Sequence, residues 1–174
     1  MSSGRGRREL ALLVTALFLV LAPGTVAVYI PWRITHWHLD PGLPLQPLLE
    51  LAGGALIIAG TAGLIACFLR FALEGLRTPA PPFPTQKLIV TGMYRYVRNP
   101  MYVAVIAVVL GQALAFRSWK LAAYGACVWT VTHLFVLLYE EPKLRQTFGA
   151  EYETYLLTVP RWIPRRTAVW PDDA

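Results

Sequence analysis

The sequence predicts an all-α fold: a polytopic membrane helix bundle of about four transmembrane helices, followed by C-terminal interfacial helices. Three observations predict it. Of the 174 residues, 56% are hydrophobic and only 15% are charged, where a soluble domain carries about a quarter charged residues. Four apolar runs, near 10–30, 48–70, 100–116 and 120–139, carry almost no charge, and a helix needs ~20 such residues to cross the hydrocarbon. The Lys and Arg residues fall unevenly between the segments that join these runs.

The first run, Leu10 to Ile30, is uncharged and longer than the apolar core of a signal peptide. No small-residue cleavage site follows it, so it reads as a span. The second carries Ala55, Ala59, Gly63 and Cys67 at steps of four, a stripe of small residues that lets helices approach closely. Between spans two and three lies a connector, 71–99, containing the stretch TPAPPFP, Thr78 to Pro84. Proline has no amide donor, so this stretch is stiff and not helical. Spans three and four are separated only by RSWK, Arg117 to Lys120, which predicts an antiparallel hairpin. Residues 140–174 form a C-terminal cap, and the whole chain, 1–174, reads as one membrane domain. Cys67 and Cys127 both fall inside apolar runs and read as buried thiols.

Thirteen of the sixteen basic residues fall in the N-terminal tail, the central connector and the C-terminal tail; Arg33, Arg117 and Lys120 fall on the other side. The positive-inside rule then places both termini and the connector in the cytoplasm, as in a multi-pass protein of a bacterial inner membrane. Trp32, Trp37 and Trp119 would mark the outer interface, and Trp162 and Trp170 the inner one. The net charge of +6 does not indicate nucleic acid, because the basic residues lie beside apolar runs and not on one soluble face.

The stretch TGMYRYVRNPMY, Thr91 to Tyr102, sets a polar cluster at the mouth of span three. Asn99-Pro100 is a helix start, with Asn as N-cap and Pro at the first helical position. The free amides and positive dipole end of that helix face the cytoplasm. Span four runs the other way and is expected to end at Tyr139-Glu140-Glu141. One side of the resulting pocket, through Arg98 and helix amides, favours a carboxylate or phosphate. The other, through Glu140 and Glu141, favours an ammonium or other cation. Tyr94, Tyr96 and Tyr102 offer ring faces for stacking.

GMYRYVRNPMY, followed by YEEPKLRQTFGAEYETYLLTVPRWIPR, resembles the integral-membrane methyltransferases of the isoprenylcysteine carboxyl methyltransferase and phospholipid methyltransferase group. The resemblance covers roughly Gln86 to Arg166. It implies S-adenosylmethionine as methyl donor, held by Gln86, Lys87, Leu88 and Ile89, by Tyr94, by Asn99, Pro100, Met101 and Tyr102, and by Glu140 with Glu141. It also implies a C-terminal tail that helps enclose the donor; Arg161 is either at the site or facing lipid headgroups or solvent. Members acting on isoprenylcysteine have His at the positions of Gln86 and Asn99, where this chain has amides.

Transfer from a sulfonium is a direct displacement, so alignment and desolvation dominate. His133 is an ionisable group inside span four, seven residues and ~10.5 Å along the helix from Glu140. It is the candidate base, beside Arg98 as a catalytic candidate; the alternative for His133 is an interhelical hydrogen bond. No metal site is expected. The reading is a methyltransferase acting on a lipophilic acceptor at the cytoplasmic face, isoprenylcysteine carboxyl methyltransferase-like, with membrane lipids as surroundings. The alternatives are a phospholipid N-methyltransferase, a nicotinamide-dependent membrane reductase or a non-enzymatic membrane protein. Adjacent carboxylates disfavour the phosphates of a nicotinamide cofactor.

Overall fold

The computed structural model describes residue 17 and residues 21–38, 46–74 and 88–168, with backbone alone at 46 and 71–74. These residues are all-helical, with no strand among them. The start of the first apolar run, the Thr78–Pro84 connector, Gln86, Lys87 and Trp170 lie outside the described residues.

Helix α1 is a π turn, Thr25–Tyr29, running into Ile30–Thr35. Helix α2 is Gln46–Glu74, and a 3₁₀ turn follows at Gly92–Arg95. Helix α3 is Pro100–Ala115, and α4 is Trp119–Phe135. A second π turn, Val136–Glu140, joins α4 to α5, Glu141–Phe148, and α6 is Ala150–Thr158. Pro47–Arg70 and Trp119–Phe148 are each long and apolar enough to cross a membrane, and Pro100–Ala115 is a shorter apolar helix.

Helices α2 and α3 pack antiparallel with their backbones in close approach. A Cβ on Gly53 would lie 2.5 Å from the Gly111 carbonyl, and one on Gly60 would lie 2.8 Å from the Ala104 carbonyl. The packed face is therefore Gly53, Gly60, Leu64 and Cys67, which are buried. The expected stripe is corrected here: Ala55 and Ala59 are exposed. The true face follows mixed steps of three and four, as a helix of 3.6 residues per turn requires. Cys127 is likewise corrected, being exposed, while Cys67 is buried.

The α3–α4 hairpin forms as expected. Arg117 takes a left-handed conformation at φ 53, and the Ser118 side chain caps α4 by accepting from the Leu121 amide at 3.4 Å. Helix α1 lies against α3, where Ala27 packs with Val108 and Val109.

Pro31 explains a polar contact inside this apolar layer. It supplies no N–H, so the carbonyls one turn before it lose their donor. The π turn delivers the Ile30 amide to the Thr25 carbonyl. Side chains then serve the next two: Tyr124 donates to the Val26 carbonyl at 2.9 Å, and Gln112 Nε2 donates to the Ala27 carbonyl at 2.6 Å. A backbone carbonyl turned inward among apolar side chains needs such a replacement donor.

The second π turn also precedes a proline, Pro142, and it overturns one expectation. Helix α4 does not end at Glu140-Glu141. The Glu141 amide reaches back five residues to the Val136 carbonyl, which takes up one residue, and the helix continues as α5 to Phe148. Both glutamates therefore project from a helix interior, and no negative dipole end lies beside them. Gly149, at φ 54, breaks α5 from α6, a left-handed position that favours glycine. The tail then packs as a small core of Val90, Tyr152, Tyr155 and Val159, with Leu88 against it.

Candidate methyl-donor site

The site forms where the start of α3, the α4–α5 junction and the tail meet. Asn99 precedes α3 at φ −118, ψ 53, and its side chain does not cap the helix. The capping expectation is corrected: Asn99 Nδ2 donates to the Arg161 carbonyl at 3.1 Å. Its own carbonyl accepts from the Val103 amide. Pro100 begins the helix and is fully buried. The amides of the first turn have no acceptor within the helix.

One residue beyond the first helical position is Met101, packed against Leu64, Phe68 and Ala104. Tyr102 follows, and its hydroxyl donates to Glu140 Oε2 at 3.1 Å. That contact joins α3 to α4 and fixes one carboxylate oxygen beside the helix start. Glu140 is half-buried.

Glu141 has a different environment. It is 4% exposed and receives Arg98 Nη1 at 2.9 Å, Arg161 Nε at 2.7 Å and Arg161 Nη2 at 3.0 Å. The Arg161 fork is bidentate, the geometry in which a guanidinium holds a carboxylate most tightly. Two neighbouring glutamates thus hold different positions: Glu141 is saturated by cations, and Glu140 keeps acceptor capacity beyond one tyrosine. Arg98, expected to face a ligand anion, is committed to Glu141. Arg161 is committed with it, and neither headgroup contact nor solvent is its primary partner.

The tail closes over this knot through its backbone. The Arg98 amide donates to the Pro160 carbonyl and the Arg165 amide to the Tyr96 carbonyl, at 2.9 and 3.0 Å. Tyr155 donates to the Tyr94 carbonyl at 2.7 Å. Burial pushes the Tyr152 hydroxyl up to about 12 and raises those of Tyr155 and Tyr94 as well. All three therefore stay protonated, as donors, at neutral pH.

His133 is tied to the same tail. Trp162 Nε1 donates to His133 Nδ1 at 3.0 Å, and the imidazole stacks on Trp129 at 5.1 Å between centroids. An imidazole that accepts on Nδ1 and is neutral carries its proton on Nε2. It then has no lone pair left for a second proton transfer. The bond runs from α4 to the non-helical tail, and not between two helices as the alternative for His133 expected.

Of the other named positions, Leu88 packs on the tail core, and Ile89 is half-buried beside it. Tyr94 is buried and lines a cavity of about 300 Å³ between the end of α2 and the 3₁₀ turn, together with Cys67, Arg70, Met93 and Arg95. Sequence reasoning passed over Gln112 and left Arg161 between the site and the membrane surface. Gln112 had a signal in Pro31, which removes a donor from an apolar helix. Arg161 had one in the excess of two carboxylates over Arg98. Among the described residues, no group of His, Cys, Asp and Glu could hold a metal ion.

Comparison with known proteins supplies a family. A family model for phospholipid methyltransferases matches residues 49–151. Phosphatidylethanolamine N-methyltransferase 1 of Vanderwaltozyma polyspora is 37% identical over 87 residues, covering 45% of this chain and 10% of that protein. The chain thus matches only a small part of that relative's length. No solved structure matches.

Proposed function

This chain belongs to the phospholipid methyltransferase family, and on that premise we propose that it transfers a methyl group from S-adenosylmethionine to the amine headgroup of a membrane phospholipid. Transfer would take place at the cytoplasmic face of a multi-pass bundle with both termini in the cytoplasm. The observation that carries the reading is the Tyr102–Glu140 contact at the start of α3. It sets a carboxylate with spare acceptor capacity next to the Met101 and Tyr102 amides, which have no acceptor within the helix, a pairing suited to a ligand that carries both an ammonium and a carboxylate.

In this reading Glu140 takes the donor's ammonium, and the first-turn amides of α3 take its carboxylate. Leu88, Ile89 and Tyr94 supply apolar and aromatic surface, and the tail excludes water. Gln86, Lys87, Asn99, Pro100 and Met101 complete the binding segment, Asn99 by holding the tail through Arg161. When bound, the donor supplies an electrophilic methyl with its own leaving group. The chain's residues then align a neutral amine with that methyl and shield both from water. Arg98 and Glu141 act as a positioning pair that holds the tail and the α4–α5 junction in register, in place of a catalytic Arg98. His133 anchors Trp162 and takes no proton.

Helix α3, with 16 residues, rises ~24 Å, less than the ~30 Å of hydrocarbon. Its polar start is therefore recessed, within reach of a headgroup that approaches laterally. The family match favours the phospholipid amine over an isoprenylcysteine carboxylate, as does the amide at position 99. The test is to incubate the purified chain with methyl-labelled donor in vesicles containing phosphatidylethanolamine, with a farnesylcysteine analogue as a parallel acceptor. Label recovered in N-methylated phospholipid is the expected result. Label in the farnesylcysteine ester alone, or in neither, rejects the assignment.

A further inference from the structure

We propose that the tail segment Trp162 to Arg166 is a lipid anchor: Trp162 and Ile163 seat among the acyl chains of the cytoplasmic leaflet, and Arg165 and Arg166 face the phosphates of anionic phospholipids there. This rests on the multi-pass orientation given above and not on the identity of the methyl acceptor.

Depth is the first argument. Trp119, 73% exposed, begins α4, and Glu140 ends the π turn that follows it. The stretch from Trp119 to Glu140 rises ~31 Å along the helix axis, close to the ~30 Å of hydrocarbon. His133 therefore lies ~10 Å inside the cytoplasmic end of that stretch. Trp162 Nε1 donates to His133 Nδ1 at 3.0 Å, which carries the indole below the level of the acidic pair and onto the apolar flank of α4. Arg161 stays at the level of that pair, because it grips Glu141 through two nitrogens. The edge of the apolar layer thus passes between the Arg161 guanidinium and the Trp162 indole. Ile163, the next residue, is 79% exposed, an apolar side chain that acyl chains would cover and water would not favour.

Charge order is the second. After Pro164 come Arg165 and Arg166, both exposed. Among the described residues, neither is paired with a carboxylate. Arg165 Nη1 donates to the Thr158 carbonyl at 2.7 Å, which leaves its other donors open. Apolar groups followed at once by two guanidiniums match the order met on leaving a leaflet of anionic lipids, whose phosphates attract basic side chains at the surface.

The segment is also fastened to the site. The Arg98 amide donates to the Pro160 carbonyl and the Arg165 amide to the Tyr96 carbonyl. A leaflet that holds the segment therefore steadies the loop leading into α3.

The experiment uses the full chain in nanodiscs of phosphatidylcholine, with and without phosphatidylglycerol. A nitroxide is placed on Ile163→Cys in a Cys127→Ser background, Cys67 being buried. Collisions with oxygen, which enters lipid, and with a water-soluble nickel chelate report its depth. The label should be open to oxygen and shielded from nickel, more so with phosphatidylglycerol. Arg166→Gln, which spares the Arg165–Thr158 bond, should lower the ratio of seated to unseated label about fivefold, the scale of one basic residue at an anionic surface. Arg166→Lys should restore it. A label open to nickel in both lipids overturns the anchor. Shielding from both probes also overturns it, since protein would then cover Ile163. Seating that ignores phosphatidylglycerol and Arg166, or that inorganic phosphate alone produces, rejects the anionic lipid as partner. The measurement needs neither donor nor acceptor: a seated label without methylation retains the anchor and rejects the enzymatic reading, and a nickel-open label with methylation intact rejects the anchor alone.

Discussion

Among the described residues, a neutral and an ionic polar network solve opposite problems. Inside the bundle, Gln112 and Tyr124 donate to the Ala27 and Val26 carbonyls of α1. At the α4–α5 junction, Arg98 and Arg161 converge on Glu141. The first is neutral and restores donors that Pro31 removed. The second is ionic and binds the tail to two helices. The difference teaches where ligand capacity lies. The neutral network meets a local backbone need, and the ionic one is saturated at Glu141. Glu140, bonded to Tyr102, is the charged group in this region with acceptor sites to spare.

The comparison can be broken at its ionic end first. Glu141→Ala would leave two guanidiniums facing one another beside a buried site. Removing one partner of a buried pair costs ~3–5 kcal/mol, so this variant should show the largest fall in thermal stability and lose the packed tail, read as faster proteolysis after Phe148. Gln112→Leu is the matching change in the neutral network. Interhelical hydrogen bonds in membrane bundles are worth ~0.6–1.7 kcal/mol, so its cost should be near ~1 kcal/mol in a detergent unfolding series. A cost equal to that of Glu141→Ala would erase the distinction between the networks.

The smallest expected effect is at His133. Phe keeps the stack on Trp129 and removes the acceptor for Trp162, a loss of ~0.5–1.5 kcal/mol. Methyl transfer should stay close to wild type across pH. A collapse of activity with stability intact would restore His133 as a base.

Much of this layout is legible in the residues. Asn99-Pro100 marks the start of α3 within one residue, because proline fits the first turn and little else in a helix. The four residues between spans three and four leave no geometry but a hairpin. The run 48–70 reads directly from its apolar length. The α4–α5 junction is not legible, since Glu-Glu-Pro normally signals a stop. A π turn precedes Pro142, with the Glu141 amide on the Val136 carbonyl, and it starts at Val136, which is 1% exposed. Asn99 is misread for a related reason: its capping propensity is local, and a carbonyl delivered from 62 residues away competes successfully for the side chain. Arg161 belongs to the same class, because its partner is set by how the tail folds back. Local propensity located the helices; long-range closure chose the partners within the site.

The central claim is that Glu140 is the carboxylate held open for the methyl donor. It is tested most directly by calorimetric titration of S-adenosylmethionine onto the full chain and onto Glu140→Gln, which keeps an oxygen acceptor for Tyr102 and removes the charge. The account predicts saturable binding to the wild type and about tenfold or greater weakening in the variant, with an unchanged melting temperature of the ligand-free protein. Equal affinity for the two proteins would contradict it.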